Sequence, residues 1–307
     1  MKKKITVVGA GNVGTTTAQL IAQKDLADVV LIDVVEGIPQ GKALDIQEAC
    51  PLWLSSSRVI GTNSYEETAD SYIVVITAGL ARKPGMSRDG LLKANADIIR
   101  AVAENIAGTS PEAIVVVVTN PMDAMAQLAQ KVTGFPSRRV IGMGGVLDST
   151  RMRSFIAMEL NIHPKNVSAM VMGGHGDLMV PLTSLTSVEG KCIAGLLPDD
   201  KITEIIQRTK NGGAEIVGYL KTGSAYYAPA ASVIEMVENI FGLRNDILPC
   251  SVYLNGEYGV KGIYLGVPVR LSSKGVEEII EIDLDENEKK ALHASADAVR
   301  GLIEKIV

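Results

Sequence analysis

Residues 5–14 read Ile-Thr-Val-Val-Gly-Ala-Gly-Asn-Val-Gly, and the fold class turns on them. The run 5–8 is apolar and largely β-branched, which predicts a short buried strand. Gly9, Ala10, Gly11, Asn12, Val13 and Gly14 then form a G-x-G-x-x-G that opens a helical pattern over 11–23. A strand before and a helix after are the context in which this motif binds a dinucleotide. Gly9 allows the sharp turn, Gly11 lets the backbone approach a pyrophosphate, and Gly14 lets helix and strand pack closely. The helix N-terminus adds unbonded N–H groups and partial positive charge for the phosphates. Asp33 ends the next strand, VVLID, nineteen residues beyond Gly14. Its carboxylate can accept both adenosine ribose hydroxyls and would repel a 2′-phosphate. The residue after it is Val34 rather than an arginine, so NAD is favoured over NADP. The plainer alternative is that Asp33 caps a helix or turn.

Outward from this unit the pattern repeats. Strands at 29–32, 72–77, 114–118 and 139–141 alternate with helical stretches at 42–50, 88–107 and 122–132, the last with Pro121 as a first-turn proline. Continuous apolar strands between helices mean a parallel sheet buried on both faces. The second half changes character. A helix at 146–160 precedes two antiparallel strands at 167–172 and 181–188. Helices follow at 201–220, interrupted by Gly212-Gly213, and at 224–241. Strands at 252–254 and 263–269 flank an Asn255-Gly256 turn signal, and an amphipathic helix over 286–307 closes the chain. The expected class is α/β: a Rossmann doubly wound parallel sheet over 1–145, then an α+β substrate domain with antiparallel strands over 146–307.

The 307 residues are 47% hydrophobic and 21% charged, which excludes disorder as the main state. Aromatics are only 4%, so aliphatic side chains must fill the core. Thirty Lys and Arg against 35 Asp and Glu leave a net charge of −5. An acidic chain without a basic block is a poor partner for nucleic acid or an anionic membrane surface. Cys50, Cys192 and Cys250 are odd in number and far apart. They form neither a metal-ligand spacing nor a disulfide framework, and a reducing cytoplasm is the simplest setting.

Three histidines limit the proton-transfer candidates. His163 precedes Pro164 in a turn and His293 sits on the terminal helix, whereas His175 lies in Gly173-Gly174-His175-Gly176-Asp177 after a strand. Asp148 and Arg151 are three apart on one helix and share a face. An aspartate can hold a histidine in one tautomer and stabilise its protonated form, and an arginine beside it can clamp a carboxylate. The bland alternative is a surface ion pair. The loop 78–88 leaves the carboxyl end of a sheet strand and carries Arg82, Lys83 and Arg88, as a lid bringing cations to an anion would.

Taken together, GAGNVG at 9–14, ITAGLARKPGMSR at 76–88, VTNPMD at 118–123, GVLDSTRMR at 145–153, MGGHGD at 172–177 and KTGSAYYAPA at 221–230 identify a resemblance. The chain resembles the malate dehydrogenases of the lactate-dehydrogenase-like type, over essentially its whole length. The resemblance implies reversible hydride transfer between malate and NAD, a step of the tricarboxylic acid cycle, in a homodimer or homotetramer. It implies that His175 is the proton acceptor and Asp148 its orienting carboxylate. Arg151 matches the binder of the substrate C1 carboxylate, and Arg88 the lid arginine that polarises the C2 oxygen. Arg82 occupies the specificity position, where lactate enzymes usually carry glutamine. Val118, Asn95 and Asn120 match cofactor-contacting positions, Asn120 also touching substrate, and Ser224 lies near nicotinamide and substrate. No metal is implied. A lactate enzyme of the same fold, an NADP enzyme and a nonenzymatic NAD-binding redox sensor are the rival readings. Arg82 argues against the first, Asp33 against the second, and the combination of Asp148, Arg151, His175, Arg82 and Arg88 against the third.

Overall fold

A computed structural model describes residues 2–80 and 87–307, without the side chain of Arg88. In the first half β1 (Lys4–Val8), α1 (Asn12–Gln23), β2 (Asp28–Ile32), α2 (Ile38–Trp53), β3 (Val59–Thr62), β4 (Ile73–Ile76), α3 (Arg88–Thr109), β5 (Ile114–Val117), α4 (Met122–Thr133) and β6 (Val140–Gly142) follow one another. β1 pairs in parallel with both β2 and β4, which gives the order β3-β2-β1-β4-β5-β6. The order reverses at β1, so the carboxyl ends of β1 and β4 flank a topological switch point, where open α/β sheets bind ligands. Every residue of β4 and β5 is buried, as strands covered by helices on both faces require.

The second half contains α5 (Gly145–Leu160), β7 (Val167–Gly173), β8 (Met179–Val188), β9 (Lys191–Cys192), α6 (Asp199–Leu220), α7 (Tyr227–Ile240), β10 (Ile247–Asn255), β11 (Lys261–Ser272), β12 (Gly275–Ile279) and α8 (Glu286–Ile303). The sheet runs on through both halves: β10 joins β6 at the antiparallel pair Ser251–Gly142, and the order continues β10-β11-β7-β8-β9, with β12 on β11. α8 starts in a capping box. Asp285 accepts hydrogen bonds from the Asn287 and Glu288 N–H groups, and the Glu288 carboxylate accepts the Asp285 N–H in return. Glu288 also accepts the Ser184 hydroxyl at 2.7 Å, which ties the start of α8 to β8.

Several elements differ from the sequence expectation. β3, β9 and β12 are strands that no apolar run announces, because they are short edge pieces whose pairing comes from tertiary context. α2 starts at Ile38 and keeps Pro51 within its last turn. Pro121 stands at the N-cap of α4, one position before the first turn, after a cis bond from Asn120. α6 runs unbroken through Gly212-Gly213.

The core is aliphatic, as the low aromatic content demands. Leu31, with no exposed surface, lies on β2 between Val7 of β1 and Gly61 of β3. Its truncation in Leu31→Ala is expected to cost about 2–5 kcal/mol of unfolding free energy in a denaturant titration. A loss below about 1 kcal/mol would mean that this part of the sheet is not close-packed.

Candidate active site

The carboxyl ends of β1, β2, β4 and β5 deliver Gly9, Asp33, Thr77 and Val118 to one edge. Gly9 turns the chain with φ +103°, and its N–H donates to the Ile32 carbonyl at 2.8 Å. A Cβ on Gly14 would overlap the Gly9 carbonyl oxygen and stand 2.7 Å from Thr77 Oγ1, so the first turn of α1 can meet β1 only with glycine there. Gly11 is the N-cap of α1, and a Cβ on it would meet nothing within 4 Å, leaving that face open. Among the described residues no side chain caps α1, whose first N–H groups have no intrahelical partner, and Asn12 is exposed and Val13 half-buried there. Asp33 accepts the Ala10 N–H at 2.7 Å on one carboxylate oxygen and the Val35 N–H at 3.0 Å on the other. Each oxygen keeps a lone pair for a further donor. Lys42 Nζ donates to the Ala10 carbonyl at 2.7 Å, so both polar groups of Ala10 are held. An open glycine face, an uncapped helix start and a carboxylate beside them fit the pyrophosphate and ribose of a dinucleotide. Among the described residues there is no group of three His, Cys, Asp or Glu that could hold a metal ion.

Asn95 of α3 is buried and spends its amide on the backbone. Its oxygen accepts the Leu80 N–H at 2.8 Å and its nitrogen donates to the Asn120 carbonyl at 2.7 Å. It thereby joins the segment leaving β4 to the segment leaving β5. The Val118 N–H donates to the Ile76 carbonyl at 2.9 Å, and Asn120 is exposed just beyond. Ser224 is exposed in the connection between α6 and α7. Arg82 lies outside the described residues, as does the Arg88 side chain at the first position of α3.

The structure brings Asp148 and His175 into contact. Asp148 stands in the first turn of α5, and its Oδ2 lies 2.8 Å from His175 Nδ1. Its Oδ1 is buried with no hydrogen-bond partner among the described residues; Arg151 Nη1 stands 3.6 Å away. Asp148 is thus faced by a histidine on one oxygen and a guanidinium on the other. Arg151 rests on α6, where a Cβ on Gly212 would come within 3.1 Å of its Cδ and 3.3 Å of its Nε. The glycine pair expected to break α6 instead forms the floor under this arginine. His163 accepts the Lys165 N–H and caps a turn, and His293 stands over Gly259.

Burial works against the His175 imidazolium, but the charge and hydrogen bond of Asp148, helped by the charge of Asp123, outweigh it and the opposing Arg151. The histidine therefore titrates above its usual range. Burial draws Arg151 below its ordinary value, and Asp148 works against that pull.

Asp123, Ser295 and Lys42 were not singled out by the sequence reading. Asp123 closes the VTNPMD motif, and its buried carboxylate accepts the His175 N–H at 2.9 Å and the Ser251 hydroxyl at 2.7 Å. Burial holds it above the usual carboxylate range against those hydrogen bonds. An acidic residue in the first turn of a helix is ordinary, so only the motif context could have marked it. Ser295 carries no local signal.

The lactate/malate dehydrogenase NAD binding domain matches residues 3–142, and the lactate/malate dehydrogenase alpha/beta C-terminal domain matches 145–307. The chain is 55% identical over 304 residues to the malate dehydrogenase of Chloroherpeton thalassium, covering 99% of this chain and 98% of that one. It is 52% identical over 303 residues to that of Methanosarcina barkeri, covering 99% of each. Among solved structures, Cryptosporidium parvum malate dehydrogenase superposes with a TM-score of 0.96 at 43% identity, covering 100% of this chain and 99% of that one. The lactate dehydrogenase of the same organism, complexed with lactic acid and β-nicotinamide adenine dinucleotide, also gives 0.96 at 43% identity, covering 100% and 98%.

Replacing Asp148 by asparagine removes the charge that offsets the burial of His175. The imidazole of Asp148→Asn is expected to titrate lower than in the parent when followed by NMR. A midpoint that stays put or rises would show that Asp148 is not what sustains the imidazolium.

Proposed function

The chain belongs to the lactate/malate dehydrogenase family, and from that premise we propose how its residues interconvert malate and oxaloacetate. It is an NAD-dependent oxidoreductase. Gly9–Gly14 and Asp33 would hold NAD, which when bound would supply the acceptor or donor for the substrate C2 hydride. Residues 1–145 carry that cofactor, with Val118, Asn95 and Asn120 shaping its nicotinamide end, and residues 146–307 carry the proton chemistry.

The single observation that carries the reading is the hydrogen bond between half-buried His175 and buried Asp148, with Arg151 on the far oxygen. With its Nδ1–H donated to Asp148, neutral His175 presents Nε2 as an acceptor. In malate oxidation the C2 hydroxyl proton passes to Nε2, and Asp148 stabilises the imidazolium as it forms. In reduction the same proton returns to the C2 oxygen, and Asp148, which raises the affinity of His175 for it against burial, favours that form. Arg151 pairs with the C1 carboxylate through two N–H groups, its partial burial sharpening the attraction. Arg88 neutralises charge on the C2 oxygen, and Asn120 and Ser224 border the substrate.

Arg82 decides between keto acids. A guanidinium enclosed with oxaloacetate meets the second carboxylate, whereas with pyruvate it faces a methyl group and loses its partner. A polar group left unpaired in that way can discriminate by roughly 10^4-fold. NADH oxidation is expected to run fast with oxaloacetate and slowly with pyruvate, and Arg82→Gln is expected to narrow the ratio by lowering the first rate and raising the second. An unaltered ratio would remove Arg82 from substrate choice. Inactivity of the parent chain with both acids would favour a nonenzymatic NAD-binding role.

No helix among the described residues is long and apolar enough to cross a membrane, and all three cysteines are unpaired. A cytoplasmic setting suits unpaired thiols. Leu44 and Leu52 on α2 and Leu54 just after it are largely exposed, as are Val34 and Val35 before it. Exposed apolar side chains of this kind, on and around one helix, suit a second copy of the chain. Light scattering is expected to give the mass of two or four chains, and a mass of one chain would rule out the homo-oligomer.

A further inference from the structure

The hydrogen bond that His175 donates to Asp148 orients the ring, yet it leaves the backbone under that ring undetermined. The loop is rich in glycine: Gly173 and Gly176 adopt φ of +79° and +86°, and Gly174 lies directly before His175. Such a segment samples many backbone conformations unless it is tied. Proton transfer tolerates little of this, since a displacement of about 1 Å can cost roughly 100-fold in rate.

The ties come from two helices to which the mechanism assigns no residue. Ser295 of α8 is buried, and its Oγ accepts the Gly174 N–H at 2.8 Å while donating to the Leu178 carbonyl at 2.7 Å. One hydroxyl thus closes the loop on both sides of His175. Asp123 of α4 accepts the N–H of His175 itself at 2.9 Å. It is held in turn by the Ser251 hydroxyl of β10. α8 presses directly on the loop: a Cβ on Gly173 would stand 2.8 Å from Ser295 Oγ, and one on Gly174 would stand 2.6 Å from Val299 Cγ2. The start of α8 is itself anchored by its capping box and by Glu288 on Ser184.

We propose that Ser295 and Asp123 are positioning residues for His175, fixing its backbone through the N–H groups of Gly174 and His175 and thereby placing Nε2 against the substrate. This rests on the reading of His175 as the proton acceptor. Ser295 and Asp123 touch no reacting atom and act only through the loop. A purely structural role, in which they merely satisfy buried N–H groups, would lower stability and leave the turnover of the folded protein intact.

The two roles separate in steady-state kinetics with NADH and oxaloacetate, backed by NADH binding and thermal melts. Ser295→Ala is expected to lower kcat about tenfold or more, with the KM for oxaloacetate and the Kd for NADH within about twofold of the parent. Asp123→Ala is expected to do the same. Asp123→Asn, which keeps an acceptor for the His175 N–H, is expected to recover most of that loss. In a His175→Asn background, adding Ser295→Ala should change the residual rate little, because the group it positions is gone. A lowered melting temperature with unchanged kcat in Ser295→Ala would overturn the proposal. So would an equal further loss in the double variant, or failure of Asp123→Asn to improve on Asp123→Ala. Full turnover by His175→Asn alone would instead overturn the reading of His175.

Discussion

The constraint on which the site depends is the burial of Asp148. A carboxylate with about 1% of its side chain exposed loses most of its hydration, a penalty of several kcal/mol unless partners replace the water. The partners here are unequal. His175 offers a short hydrogen bond to one oxygen, and Arg151 offers charge at 3.6 Å to the other without a hydrogen bond. The N-terminal turn of α5 adds a favourable dipole. This imbalance has chemical consequences. The histidine is held in one tautomer by a partner that prefers it protonated. The arginine is not consumed by its neighbour, so its donors remain available to a second anion.

Strand order explains how residues 27 positions apart come to share that pair. β6 leads directly into α5 and Asp148, and β7 ends at Gly173 where the His175 loop begins. Between these two strands lie β10 and β11, pairing Ser251 with Gly142 and Gly266 with Gly173. Both junctions are tight. A Cβ on Gly142 would stand 2.9 Å from that of Ser251, and one on Gly266 would stand 2.5 Å from the Gly173 carbonyl oxygen. The same Ser251 donates to Asp123, which takes the His175 N–H. The antiparallel half of the sheet therefore acts as a fixed spacer between carboxylate and imidazole, while the parallel half presents the dinucleotide edge alongside.

What was legible in the sequence was what is local. The Gly9–Gly14 turn, the alternation of apolar strands with amphipathic helices, and the shared face of Asp148 and Arg151 all follow from spacings within one element or its neighbour. Each survives in the structure with shifts of a few residues at its ends. What was not legible depends on distant partners. β3 and β12 acquire strand geometry from the strands they join, and nothing in VIGT or GVEEI demands it. Gly212-Gly213 looked like a helix break because intrinsic propensity disfavours two glycines by roughly 1 kcal/mol each. Packing against Arg151 decides otherwise. Ser295 lies 120 positions from the histidine loop, on a helix whose apolar periodicity describes only its attachment to the core.

A fold shared by lactate and malate dehydrogenases leaves the choice of substrate to individual side chains, and electrostatics shows why one of them suffices. The chain as a whole carries a net charge of −5, which opposes the approach of a dianion. Screening reduces that opposition to a short-range effect at physiological salt, where the Debye length is about 8 Å. Inside a site that excludes water the local cations dominate. Arg151 lies on the fixed part of the fold, seated between Asp148 and the α6 glycines. Arg82 falls in the sequence between β4 and α3, and Arg88 is the first residue of α3. This division matches the chemistry required of each. On the proposed function, the carboxylate common to all 2-keto acids would meet Arg151, and the group that varies among them would meet Arg82. Discrimination would then come from the cost of enclosing an arginine without its partner, a cost that would fall on the wrong substrate alone.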